Sequence, residues 1–164
     1  MKALSIALVL TITVAGAAAG GEKYTSKEGQ FAIAFPKGAE AKTHKNEKGR
    51  ASLDAVLVES QGTLHGVAYG EVPAAELKNL GTFYDSVESG LVKRTGAKVT
   101  ERKEVTFGPD KLPARDLLTE RDGVHGRLVL VVNGTRIYAI MVRGSKEFVS
   151  STEAAAFVAS FEFK

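Results

Sequence analysis

Apolar and polar residues alternate with period two along much of this chain, and that alternation predicts strands. Residues 29–36, GQFAIAFP, set Phe31, Ile33 and Phe35 against Gln30, Ala32 and Ala34, and Pro36 ends the run. Residues 51–59 and 64–72 read as two further strands, joined through Ser60-Gln61-Gly62 in a hairpin-like connection and stopped by Pro73. The period then changes. Pro73 suits the first position of a short helix running to Leu80, with Gly81 just past its end. A second helix over Thr82–Thr95 places Phe83, Val87 and Leu91 on one stripe, with Asp85 in its first turn, Lys93 and Arg94 in its last, and Gly96 as its stop. Lys98–Phe107 alternates again, with Val99, Glu101, Lys103, Val105 and Phe107 on one side, as befits a strand near an edge.

The following segment reads as a meander whose register comes from its turns. Asp122-Gly123 and Asn133-Gly134 are the dipeptides best suited to two-residue turns in which both central residues take positive φ. On that basis Glu120 faces His125, Arg121 faces Val124, Val132 faces Thr135 and Val129 faces Tyr138. One face then shows Leu117, Leu128, Leu130, Val132, Ile137, Ala139 and Met141. The other shows Leu118, Val129, Val131, Tyr138, Ile140 and Val142, with Asp116, Glu120, His125, Arg127 and Arg136 toward its ends. A sheet apolar on both faces has to be covered on both. The last segment supplies a further helix, opened by a capping box of Ser150 and Glu153 and carrying Ala154, Phe157, Val158 and Phe161 inward. The expected fold class is therefore α+β: a largely antiparallel sheet with helices covering both faces.

Composition adds a compartment. Lys2, the apolar run Ala3–Val14 and the small residues Ala15–Ala19 have the three-part layout of a secretory signal, with Ala17-Ala18-Ala19 as its cleavage site. The apolar run falls short of the roughly 20 residues that a spanning helix needs. Residues 1–19 are thus expected to be removed and 20–164 to fold as one domain in an extracytoplasmic space, with no membrane span after cleavage. The sequence has no cysteine, which excludes disulfides, thiol chemistry and a lipid-anchored form. The 22 basic side chains, less Lys2, nearly balance 19 acidic ones, so no nucleic-acid footprint is expected. Lys37, Lys42, Lys45, Lys48 and Arg50 gather in one stretch without an aromatic residue, which reads as a solvated loop.

Two segments carry a family resemblance. YTSKEGQFAIAFP, Tyr24–Pro36, resembles the opening of exported PsbP-like and Mog-like domains: a polar turn, alternating aromatics and a proline. NGTRIYAIMVRG followed by STEAAAFVASFEF is similar to their ending, with Phe157, Ser160 and Phe161 in an F-x-x-S-F arrangement. The resemblance spans nearly all of residues 20–164 and implies an α/β/α sandwich around an antiparallel sheet. It implies no reaction, because relatives such as an extrinsic subunit of photosystem II and a yeast Ran-binding protein are accessory or partner-binding proteins. No family functional motif matches here.

Chemistry is sparse. The chain has no G-x-S-x-G elbow, no Gly-rich loop ending in Lys-Ser/Thr, no H-E-x-x-H and no acidic calcium loop. Of its three histidines, His44 falls in the basic stretch and His65 at a strand start, where one ring nitrogen is expected to bond to backbone. His125 opposite Glu120, with Arg127 diagonal to both Glu120 and Asp116, forms the candidate site: Asp116, Glu120, His125 and Arg127. Such a group either holds a partner's charged group or is a rim of cross-strand ion pairs, and the pattern favours the rim. A metal there would need a third ligand, which only His65 could provide. Tyr24, Tyr69, Tyr84 and Tyr138 either line an apolar groove or pack the core, and their spacing favours core. The expected function is that of a non-enzymatic, cofactor-free accessory or protein-binding module working through a sheet face or its rim. The alternative is a small-molecule or metal-binding protein of the envelope.

Overall fold

Each alternating segment is a strand in the computed structural model, which describes residues 21–45 and 53–164. The expected signal segment, and Lys48 and Arg50 of the basic stretch, lie outside the described residues. In chain order the elements are β1 (Glu22–Ser26), β2 (Phe31–Phe35), β3 (Lys42–His44), β4 (Asp54–Ser60), β5 (Thr63–Glu71), α1 (Leu80–Thr95), β6 (Lys98–Phe107) and β7 (Leu112–Arg121). These are followed by β8 (Val124–Asn133), β9 (Arg136–Gly144), α2 (Lys146–Val149), α3 (Thr152–Ala159) and β10 (Glu162–Phe163). Seven strands pair in the order β3-β4-β5-β9-β8-β7-β6 and three in the order β1-β2-β10, and each neighbouring pair is antiparallel.

Helices on both faces of one sheet is not the arrangement found. One face of the large sheet carries α1, which packs Phe83 and Tyr84 on Leu117, Leu130, Val132, Ile137 and Ala139. The opposite face is covered by the three-stranded sheet together with the short α2 and α3, around Phe31, Ile33, Phe35, Val129, Tyr138, Ile140, Phe157 and Phe161. The reason is the period-two pattern of residues 29–36 itself. Alternating aromatics make β2 a half-buried strand, so the cover it provides is a second sheet. Phe31 stacks on Phe161 at 5.5 Å between centroids, and Tyr138 donates from its hydroxyl to the Gly29 carbonyl at 3.0 Å. Tyr69, Tyr84 and Tyr138 are buried, as core aromatics.

Four local departures have physical causes. The expected helix from Pro73 to Leu80 is only a 3-10 turn over Glu76–Lys78, because Asn79 takes extended backbone and caps α1 by accepting from the Thr82 N–H. Gly81 therefore lies inside α1, whereas Gly96 stops it at φ 69° as expected. The Asp122-Gly123 turn has both residues at positive φ, but the next hairpin turns on Gly134-Thr135, pairing Asn133 with Arg136 and Val129 with Ile140. That slides the pairing by two residues and leaves every side chain on its expected face. In β6 a bulge between Val99 and Glu101 breaks the alternation, so Val99 packs on the α1 side while Val105 and Phe107 pack on the other. Finally Ser151, not Ser150, caps α3 by accepting from the Ala154 N–H, and Ser145 caps α2.

Candidate binding site

The hairpin register brings the four expected residues onto one face, and their own bonds then divide them. Arg127 lies opposite Leu118 and reaches diagonally to Asp116, with Nη2 2.7 Å from Oδ2 and Nε 3.1 Å from Oδ1. Both side chains are mostly buried, against Val149 and Ser150 at the end of α2. Glu120 does stand opposite His125, but its Oε1 accepts from the Gly123 N–H at 2.9 Å and braces the turn. The expected cluster is thus an internal ion pair and a turn brace beside a histidine that neither engages. Among the described residues, His65 does not join it in a group of three metal-ligating side chains.

His65 departs from expectation in another way. It is 1% exposed, and neither ring nitrogen has a hydrogen-bond partner. Its ring stands edge-on to Phe148 at 5.4 Å and Phe157 at 4.9 Å, between the large sheet and the α2–α3 cover. Burial holds its pKa below the ordinary 6.5, with the Glu153 carboxylate pulling weakly the other way. His44 on β3 is exposed, as a solvated histidine.

A larger feature lies on the α1 side. Alternation puts Ala55, Leu57, Leu64, Gly66, Ala68, Ala139, Met141 and Leu128 on that face, where the small residues leave a hollow that α1 roofs only in part. The hollow is a cavity of 720 Å³ running from Val72 and Glu76 past Val87 and Gly90 to Leu91, Leu128 and Met141. It meets a second cavity of 890 Å³, with which it shares Leu91, Arg94, Leu128 and Met141, so the two form one trough. A Cβ built on Gly90 meets nothing within 4 Å. Val124, at the far end, is 46% exposed.

Charge is distributed unevenly along the trough. At one end stand Glu76 and Glu71, the latter bound by Arg136 and Thr135, which hold its carboxyl below the ordinary range through hydrogen bonds. At the other end stand Arg94, Arg121 and Arg143. Arg121 is spent on the Thr95 carbonyl and on Asp122. Arg94 and Arg143 have no hydrogen bond or ion pair among the described residues.

The flank of α1 that faces β6 and β7 carries a partly buried ion network that the sequence reading missed. Arg115, 4% exposed, bonds Glu104 at 2.7 Å and Asp85 at 2.6 Å and lies 3.5 Å from Glu88, which Arg102 also clamps. Its guanidinium sits 5.6 Å from the centroid of the Tyr84 ring. A signal existed: Glu88 follows Tyr84 by four on the inward stripe of α1, and Arg115 shares the core-facing parity of Leu117. Charges on buried faces require partners.

No family model and no curated protein matches the chain. Among solved structures, it is similar to the cyanobacterial PsbP (CyanoP) of Synechocystis sp. PCC 6803, with a TM-score of 0.66 at 14% identity over 87% of this chain and 92% of that one. A Bacteroides thetaiotaomicron structure gives a TM-score of 0.46 at 14% identity over 88% of this chain and 48% of that one. A Pseudomonas aeruginosa protein of unknown function gives 0.41 at 14% identity over 82% and 90%. The first likeness shows a PsbP-like fold.

Proposed function

We propose that this chain is an exported accessory or binding module with no catalytic step of its own, and that it works through the trough beside α1. The observation that carries this is a seven-stranded sheet face roofed by a single helix over small residues, leaving a cavity of 720 Å³ lined mainly by apolar side chains. That volume falls within the roughly 300–1,000 Å³ of small-ligand sites. A confined hollow under a helix suits a slender apolar ligand better than a flat protein surface, which favours the small-molecule alternative over a protein partner. The expected rim points the same way, since Asp116 and Arg127 spend their charge on each other. Among the described residues no helix is long and apolar enough to cross a membrane. A protein partner, which the PsbP-like and Mog-like resemblance implies, is the second reading, favoured by exposed Val124 at the hairpin tip.

The test uses the neutral dye Nile red. The protein is expected to bind it saturably, with a rise in fluorescence, and Gly90→Leu is expected to abolish that binding by filling open space. The same variant should melt higher, because replacing a helical glycine gains about 0.5–1 kcal/mol. Unsaturable dye uptake, or full binding by the folded variant, would remove the trough from the account. Turnover on ester, phosphate or glycoside panels that a single substitution abolishes would overturn the absence of catalysis.

A further inference from the structure

We propose that the trough takes a single-chain amphiphile with a carboxylate head, its apolar body lying under α1 and its head held by Arg94 and Arg143; this rests on the reading of the trough as the binding site. Both arginines line the 890 Å³ end of the trough and have no partner among the described residues. Unspent guanidiniums beside an apolar channel are the complement of a carboxylate, which they can grip with two parallel N–H bonds. Arg143 follows Met141 on the sheet face and sits opposite Gly126, a residue with no side chain to screen it. Arg94 stands on α1 next to the junction of the two cavities.

The opposing charges agree with one orientation. Asp122 is paired with Arg121 at the basic end, so it does not cancel the two free arginines. At the other end Glu71 is already paired with Arg136 and Glu76 adds a negative charge, so the head is favoured at the arginine end and the tail points away from it. The channel between is apolar, bounded by Leu91, Leu128 and Met141. No Gly-rich loop offers backbone donors to a phosphate, so the head contacts are those of side-chain guanidinium.

Displacement of Nile red from the full protein tests this. Palmitate is expected to compete at least about tenfold better than hexadecanol, which has the same chain and no charge. The double variant Arg94→Gln/Arg143→Gln, altered only at exposed side chains, should lose the preference, so that palmitate and hexadecanol compete equally. Equal competition by the two compounds in the unaltered protein, or full palmitate affinity in the double variant, overturns the proposal and leaves the trough reading standing. If Nile red itself does not bind, both readings fall. Arginine-dependent flotation with phosphatidylglycerol vesicles, without displacement by monomeric palmitate, overturns the single-chain ligand in favour of a membrane surface.

Discussion

His65 brings a polar ring into a place that offers it nothing to bond. Leaving a buried polar group unsatisfied costs about 1–3 kcal/mol, and here the compensation is edge-on contact with Phe148 and Phe157. The same burial makes the folded protein acid-sensitive. Because the folded-state pKa lies below 6.5, the unfolded chain takes up the proton first as pH falls. Stability is complete above about 6.5 and declines as pH drops from there toward the folded-state value. His65→Phe should therefore raise the melting temperature at pH 5 more than at pH 7.5, and an unchanged pH slope in that variant would refute this origin. The alternation marks the position as a strand residue, but the facing aromatics come from α2 and α3, eighty and more residues away, so the missing partner was invisible. Gly134 is the opposite case: its positive φ was legible from the Asn133-Gly134 dipeptide, although the turn itself is Gly134-Thr135. At φ 63°, with open space where an added Cβ would stand, Gly134→Val should cost about 1–3 kcal/mol from backbone strain alone, read from denaturant midpoints.

α1 is held by two different means along its length. Phe83 and Tyr84 anchor one flank in the core, and Asp85 and Glu88 tie it to Arg115 on β7. Arg115→Ala is expected to cost about 3–5 kcal/mol, because it strands Glu88 in a buried place with only Arg102 for company. Arg115→Met combined with Glu88→Leu should recover most of that loss, as paired apolar replacements of buried ions do. Thermal melts of the single and double variants decide it: a double variant as unstable as the single would mean that the network carries stability of its own. The helix and its stop at Gly96 followed from the stripe and the glycine, whereas its start, expected at Thr82 after a separate short helix from Pro73, lies at Leu80 because the Asn79 side chain caps it. In the candidate site, the Glu120–His125 pairing was legible because a turn dipeptide sets register, but which acceptor Glu120 prefers was not. A backbone N–H in its own turn won over the imidazole across the strand.

For the whole molecule, strand identity was written locally and strand partnership was not. Residues 29–36 announce a strand equally well whether they join the large sheet or build a second one; the second sheet is made by β1, which pairs with all of β2 on one side, and by the distant β10, which pairs Glu162 with Ala32 and Phe163 with Phe31 on the other. The two faces that result are unequal in packing. The side under the small sheet is filled by aromatics, while the side under α1 encloses the trough, so α1 should exchange its amide hydrogens faster than β5, β8 and β9, measured residue by residue under native conditions. Equal protection across α1 and those strands would contradict a loosely seated roof. The pairing of β10 with β2 also has a kinetic meaning. It closes a loop of nearly the whole described chain, and contacts so distant in sequence form late and slowly. Until β10 arrives, Phe31 lacks its stacking partner Phe161 and the Lys23–Glu162 pair is absent, so β10, unlike the local β1–β2 hairpin, is a latch that engages last. Deleting residues 162–164 should accordingly speed unfolding far more than it slows refolding.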